Sequence, residues 1–170
     1  TSSWAADAFV AKFNTSGQYV WVKVFGSYDG LRVFGMDIDG NENVYTTGDF
    51  FMSVDFDPSA AYFYLVSNMS GNDVFLQKLN KNGDFVWAKS YGGSFPDISN
   101  DIHVDNKGNV YTLGQYGGAF DVNPNSDSLI FTLNGFQGDD VYIQKLDSLG
   151  AFVWASHFGG TWFDEGAAIT

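Results

Sequence analysis

Oxygen donors at alternate positions are the part of this chain with the clearest capacity for chemistry. Asp55 and Asp57 lie in VDFDP, and Asp121 and Asn123 lie in FDVNP, where Asn125 and Asp127 extend the series. Alternate residues of an extended segment share a face, and a hard cation such as calcium takes clustered carboxylate and amide oxygens. An EF-hand loop also needs glycine at position six and glutamate at twelve. Neither segment has them, and Val66 and Thr132 stand at the twelfth position. The same residues fit a second role, as Asx-type turns ended by proline in which side chains accept from nearby backbone amides. The sequence leaves both open: calcium at Asp55, Asp57, Asp121, Asn123, Asn125 and Asp127, or turns alone.

Other chemistries find less material. Asp37, Asp39 and Asn41 alternate too, but their counterparts in a later copy are His103, Asp105 and Lys107, and a lysine fits a hairpin turn better than a ligand set. His103 and His157 each lack a second histidine at ligand spacing, so structural roles are expected for both. No cysteine is present, which removes disulfides, thiolate catalysis and cysteine zinc sites. No nucleophile elbow, phosphate loop or zinc motif occurs, and no catalytic residue or cofactor other than calcium is expected. Phe95 and Trp162 each stand two residues beyond a Gly-Gly pair, which places both on one rim. There they would stack on a sugar or pack against a neighbouring unit. The net charge of −12, from 20 acids and 8 bases, disfavours nucleic acid, which needs clustered lysine and arginine.

What must position these residues is a repeat. Asp73 to Gly93 reads DVFLQKLNKNGDFVWAKSYGG, Asp140 to Gly160 reads DVYIQKLDSLGAFVWASHFGG, and Asp7 to Ser27 reads DAFVAKFNTSGQYVWVKVFGS. The aspartates stand 66 and 67 residues apart, as do Trp21, Trp87 and Trp154. NVYTTG at Asn43 and NVYTLG at Asn109 recur at 66. A fixed period of this kind marks one supersecondary unit copied in tandem.

Each unit reads as four strands: RVFGMDI or ISNDIHV, then NVYT, then VFLQKL or VYIQKL, then FVWAKSY or FVWASHF. Asp/Asn/Gly clusters separate them, which is hairpin chemistry. A longer excursion carrying the oxygen donors falls between the second and third strands. No helical period appears, so the fold class is all-β. The fourth strand alternates Phe85, Trp87 and Tyr91 with Val86, Ala88 and Ser90, and both faces being apolar calls for a covering sheet on each side. Blades stacked radially meet that need, and a 66-residue unit is long for a solenoid coil. The expected architecture is therefore a β-propeller of four-stranded antiparallel blades. Residues 1–30 supply the last two strands of one blade, 31–91 a second, 92–158 a third, and 159–170 the start of a fourth. Trp21, Trp87 and Trp154 are expected between sheets, buried, and the Gly-Gly pairs are expected to close strands.

The residues Asp73, Phe75, Lys78, Leu79, Gly83, Trp87, Gly92, Gly93, Asp105, Gly108, Asn109, Tyr111 and Gly114 carry a pattern that resembles the bacterial SBBP-type β-propeller repeat. The likeness spans nearly the whole chain. Ser27 stands where Gly160 does, and Glu42 where Gly108 does, both in turns. The NGDFVW piece also resembles the tryptophan-docking repeat of pyrroloquinoline-quinone dehydrogenases, over the third and fourth strands only. The VDFDP excursion is typical of the long-blade version in exported proteins of type IX-secreting bacteria. The resemblance implies a secreted or cell-surface module for adhesion, binding or scaffolding, not an enzyme, with a protein or glycan ligand and no membrane insertion. Two alternatives stand beside it: part of an enzyme propeller (quinoprotein or glycan-active) whose catalytic residues lie in other blades, and a stalk or filament spacer. Thr170 corresponds to Asp37 and His103, in mid-strand, so further blades or a covering partner are expected.

Overall fold

The computed structural model describes residues 7–26, 30–68, 70–125, 127–133 and 138–170. Fourteen strands form β1 (Asp7–Phe13), β2 (Tyr19–Gly26), β3 (Leu31–Ile38), β4 (Val44–Phe50), β5 (Ser53–Asp55), β6 (Tyr64–Val66), β7 (Asp73–Leu79), β8 (Phe85–Gly93), β9 (Ile98–Val104), β10 (Val110–Tyr116), β11 (Ala119–Asp121), β12 (Ile130–Thr132), β13 (Asp140–Leu146) and β14 (Phe152–Phe158). All strand pairs are antiparallel, as short strands joined by Asp/Asn/Gly turns require. Asp7, Asp73 and Asp140 each open an equivalent strand. Among the described residues no helix is long and apolar enough to cross a membrane.

The strands form three sheets, ordered β1-β2-β5-β6, β3-β4-β7-β8-β11-β12, and β9-β10-β13-β14. The excursion is no loose loop. It folds as a hairpin, β5–β6 or β11–β12, and adds to the sheet of the preceding unit. Asp55 pairs with Gly26 on β2, and Phe120 and Asp121 pair with Gly93 and Gly92 on β8. Each unit thus contributes strands to two sheets, and the four strands expected for a blade become six in the central one.

This exchange explains the Gly-Gly pairs, which stand at strand ends, β8 finishing on Gly93 and β14 just before Gly159. β8 continues through both glycines. A Cβ on Gly93 would lie 1.9 Å from the Ala119 carbonyl oxygen, so the incoming β11 needs glycine there. A Cβ on Gly92 would lie 2.5 Å from Asp73 Oδ1, and one on Gly26 would lie 2.5 Å from Asp7 Oδ1. The repeating aspartate and the first glycine are therefore a packed pair.

The sheets stack face to face, and the core sits between them. Val10 and Phe25 of the first sheet meet Phe50, Phe75, Leu79 and Ala88 of the second, with Val54 and Phe56 of the exchanged hairpin. The second sheet meets the third through Tyr91, Phe120 and Tyr142, and through Tyr45, Leu76, Ile102, Val104, Val110 and Leu146. Trp21 and Trp87 lie between sheets, each half-buried. The turn of the following unit rests on each ring: a Cβ on Gly83 would lie 3.2 Å from Trp21, and one on Gly150 would lie 3.3 Å from Trp87. Trp154 departs from expectation. It is 42% exposed, because no described turn lies over its ring.

Candidate functional site

The oxygen donors sit in the loops of the two exchanged hairpins. Asp55 Oδ1 accepts from the Asp57 and Phe63 amides at 3.1 and 2.9 Å, and Asp57 Oδ1 accepts from Ser59 at 2.9 Å. The other loop repeats the arrangement. Asp121 Oδ1 accepts from Asn123 and Leu129 at 3.1 and 2.9 Å, Asn123 Oδ1 accepts from Asn125 at 3.0 Å, and Asn123 Nδ2 donates to the Asp127 carbonyl. The side chains therefore fold the loop upon themselves as Asx turns. Among the described residues, no three acidic, histidine or cysteine side chains converge as a metal-holding group.

Phe95 and Trp162 occupy equivalent places in successive units, both exposed. Each follows a tight backbone crossing: a Cβ on Gly71 would lie 2.5 Å from the Phe95 carbonyl carbon, and one on Gly138 the same distance from that of Trp162. The Phe95 ring covers Gly118, at φ +64°, and its Cβ lies against Gly117. A Cβ on Gly118 would come within 2.4 Å of that ring. Beside it opens a cleft of about 330 Å³, lined by Phe95, Pro96, Gly117, Gly118, Gly138 and Asp139.

Beneath the cleft lies an acid that sequence reasoning missed. Asp97 is fully buried and accepts from the amides of Gly93 and Gly117 at 2.7 and 3.2 Å, fixing the strand end to the rim turn. Burial pushes its pKa up to about 8, and the nearby charges of Asp73 and Asp139 push the same way. Burial likewise raises Asp139, with Asp140 adding to it. The only sequence signal for this corner was the glycine pair at 117 and 118. The groups that line the cleft itself are the Phe95 ring and the Asp139 carboxyl, whereas Asp97 is engaged by its two backbone amides below it.

The two histidines take structural places. His157 Nδ1 lies 2.7 Å from the Tyr116 hydroxyl, and its ring stacks on Phe131 with centroids 4.3 Å apart. His103 Nδ1 lies 3.4 Å from Asp37 Oδ2. Gln77 and Gln144, also unnoticed in the sequence, tie sheets together. Gln77 Nε2 donates to the Phe56 carbonyl at 2.6 Å, and its Oε1 accepts from Thr46 at 3.1 Å. Gln144 makes the same pair of bonds to the Val122 carbonyl and Thr112. Compared with known proteins, the chain matches no family model and no curated protein.

Proposed function

We propose that the chain is a β-propeller module that binds or scaffolds on an exported bacterial protein, with the Phe95 rim cleft as its ligand site. One observation carries the propeller reading. Val104 N donates to Asp37 Oδ2 at 2.7 Å, and Ile169 N donates to Asp101 Oδ2 at 2.9 Å. The edge strands β3 and β9 thus touch, and the segment at Ile169 meets β9 in turn, as blades do when they converge on a common axis. Loops and rims on such a rigid scaffold are where ligands bind. The cleft's aromatic wall and carboxyl lining favour a neutral glycan over a polyanion, and the net charge of −12 agrees.

Affinity electrophoresis through gels holding soluble neutral polysaccharides tests the reading. At least one polysaccharide should retard the protein, and Phe95→Ala should abolish the retardation while leaving the thermal midpoint within about 2 °C, as expected of an exposed side chain. Equal mobility in every gel, with or without polysaccharide, would remove the glycan assignment.

A further inference from the structure

The two exchanged hairpins share a fold and differ on one face, so each serves as a control for the other. On β5–β6 the register sets Asp55 opposite Tyr64 and Ser53 opposite Val66. Alternation continues this face to Asp57 and Tyr62. On β11–β12 the same positions hold Asp121 with Ile130, Ala119 with Thr132, and Asn123 with Ser128. The inward face keeps its character in both copies. Phe63 packs on Phe85 with centroids 4.9 Å apart, and Leu65 and its counterpart Phe131 join the core clusters. The fold therefore fixes the inward face and leaves the outer one to vary, and of the two hairpins only the first puts a pair of tyrosines beside a pair of aspartates there.

The Tyr62 and Tyr64 rings lie parallel within 14°, centroids 5.9 Å apart, and are 75% and 57% exposed. This openness belongs to the position. The central sheet is packed on both sides, yet Ile130, the counterpart of Tyr64, is still 52% exposed. The backbone edge is open as well. Phe56 N donates to the Phe63 carbonyl and Ser67 N to that of Met52, at 2.9 and 2.8 Å. Alternation along an antiparallel ladder then turns the N–H and C=O groups of Tyr64 and Val66 outward. Among the described residues β6 ends its sheet, just as β12 ends the central one in mid-chain.

What such rings and carboxylates hold is visible three times elsewhere in the chain. The Arg32 guanidinium lies 5.4 Å from the Phe34 ring centre while bonding Asp49 at 2.9 and 2.6 Å. The Lys78 ammonium lies 4.8 Å from the Tyr45 ring, whose hydroxyl donates to Asp39, and Lys145 repeats this with Tyr111 and Asp105. Each is a cation on an aromatic face beside an aspartate. At Tyr62 and Tyr64 the same groups stand without a cation among the described residues. Asp55 and Asp57 each use Oδ1 to hold the loop, which leaves Oδ2 for a ligand.

We infer that the outer face and free edge of β6 dock a protein segment of one chemistry: an extended strand carrying arginines at alternate positions. Its backbone pairs with Tyr64 and Val66. Two successive guanidiniums reach across the Tyr64 and Tyr62 rings to the Asp55 and Asp57 carboxylates. Backbone pairing supplies affinity and the alternate side chains supply specificity. Arginine suits the site better than lysine, because its planar group stacks on a ring and bonds a carboxylate at once. The net charge of −12 draws such a segment in. The inference does not rest on the glycan cleft.

The test is calorimetric titration of the 170-residue chain with a blocked peptide of alternating arginine and serine, about eight residues long as ordinary strands are. Saturable one-to-one binding is expected, with hydrogen-exchange protection at the Tyr64 and Val66 amides. The matching citrulline peptide, neutral and of the same shape, should not bind. Two variants borrow the residues of the second hairpin and so keep the fold. Tyr62→Ser with Tyr64→Ile, which leaves the net charge unchanged, should weaken binding about tenfold, and Asp57→Asn about threefold. No saturation, equal binding by the citrulline peptide, or protection away from β6 would overturn the proposal. Equal binding by the tyrosine variant would overturn it too, by showing mere attraction between opposite net charges. Loss of polysaccharide retardation in that variant, with peptide binding intact, would assign the face to a glycan instead. Phe95→Ala should leave peptide binding unchanged, so the two proposals fail separately.

Discussion

Replacing Gln77 should uncouple an exchanged hairpin from the neighbouring sheet. Gln77 belongs to β7 of the central sheet, whereas its acceptor Phe56 follows β5 in the first sheet. Both residues are fully buried, so water cannot take over the broken bonds. Gln77→Ala leaves the Phe56 carbonyl and the Thr46 hydroxyl without partners, at about 1–2 kcal/mol each. The vacated space adds about 1–2 kcal/mol. The expected loss is therefore about 3–6 kcal/mol, a large share of the stability of an ordinary domain. Gln77→Leu fills the space but keeps both orphans, and should lose about 2–4 kcal/mol. Adding Thr46→Val to it should recover about 1 kcal/mol, since one polar orphan is then removed. Urea melts give the totals. Hydrogen exchange gives the location: the Phe56 amide, bonded to the Phe63 carbonyl at 2.9 Å, should exchange far faster in the variant. A loss for Gln77→Ala below about 1 kcal/mol, with that amide still protected, would show that the glutamine does not hold the hairpin.

Four further outcomes follow from neighbouring geometry. Trp87→Ala should cost about 3 kcal/mol and Trp154→Ala about 1 kcal/mol in the same melts, because a turn covers only the first ring. Gly92→Ala should cost about 1–3 kcal/mol through its clash with Asp73, and Asp73→Ala should recover much of it; independent, additive losses would refute the packed pair. Asp97 keeps its proton in the folded state up to about 8, while the unfolded chain releases it near 3.8. The folded state therefore binds more protons across that window, and stability should fall as pH rises through it. Asp97→Asn should flatten this slope, and an unchanged slope would mean that another group sets it. Asp55→Ala and Asp121→Ala should each cost about 1–2 kcal/mol as losses of loop acceptors. Melts in free calcium and in chelator test the cation: a midpoint that rises with calcium, and ceases to rise in Asp121→Ala, marks a bound ion.

The strands were legible because their signals are local. Alternation in FVWAKSY and the Asp/Asn/Gly turns act within a few residues, and the period repeats them. The hairpin exchange was not legible, since β5 and β11 are three residues long and nothing in VDFDP names a partner strand. The glycine pairs show the limit well. Gly93 reads as a strand end from sequence and is one, but its close approach to Ala119 is fixed by a chain segment 26 residues away. Phe95 and Trp162 were placed on one rim by their matched offset, but the cleft beside Phe95 depends on Gly117, Gly118 and buried Asp97, which no periodic pattern reveals. Trp154 fails its expectation for the opposite reason: the repeat fixes its conformation, while its burial depends on the next unit's turn.

That last contrast carries the functional logic of the chain. Each unit is complete only in company. Its excursion finishes the sheet before it, its Gly83-type turn covers the preceding tryptophan, and its buried glutamine holds the carbonyl of its own exported hairpin. Coupling of this kind makes stability a property of contacts between neighbours more than of units, as in repeat arrays generally. Under the proposed function, the exposed Phe95 ring and the Asp139 carboxyl are the groups that would meet a ligand, while Gly71, Gly92 and Gln77 are held by packing. A substitution at the rim should therefore alter binding with little effect on melting, and one at an exchange position should alter melting in two sheets at once.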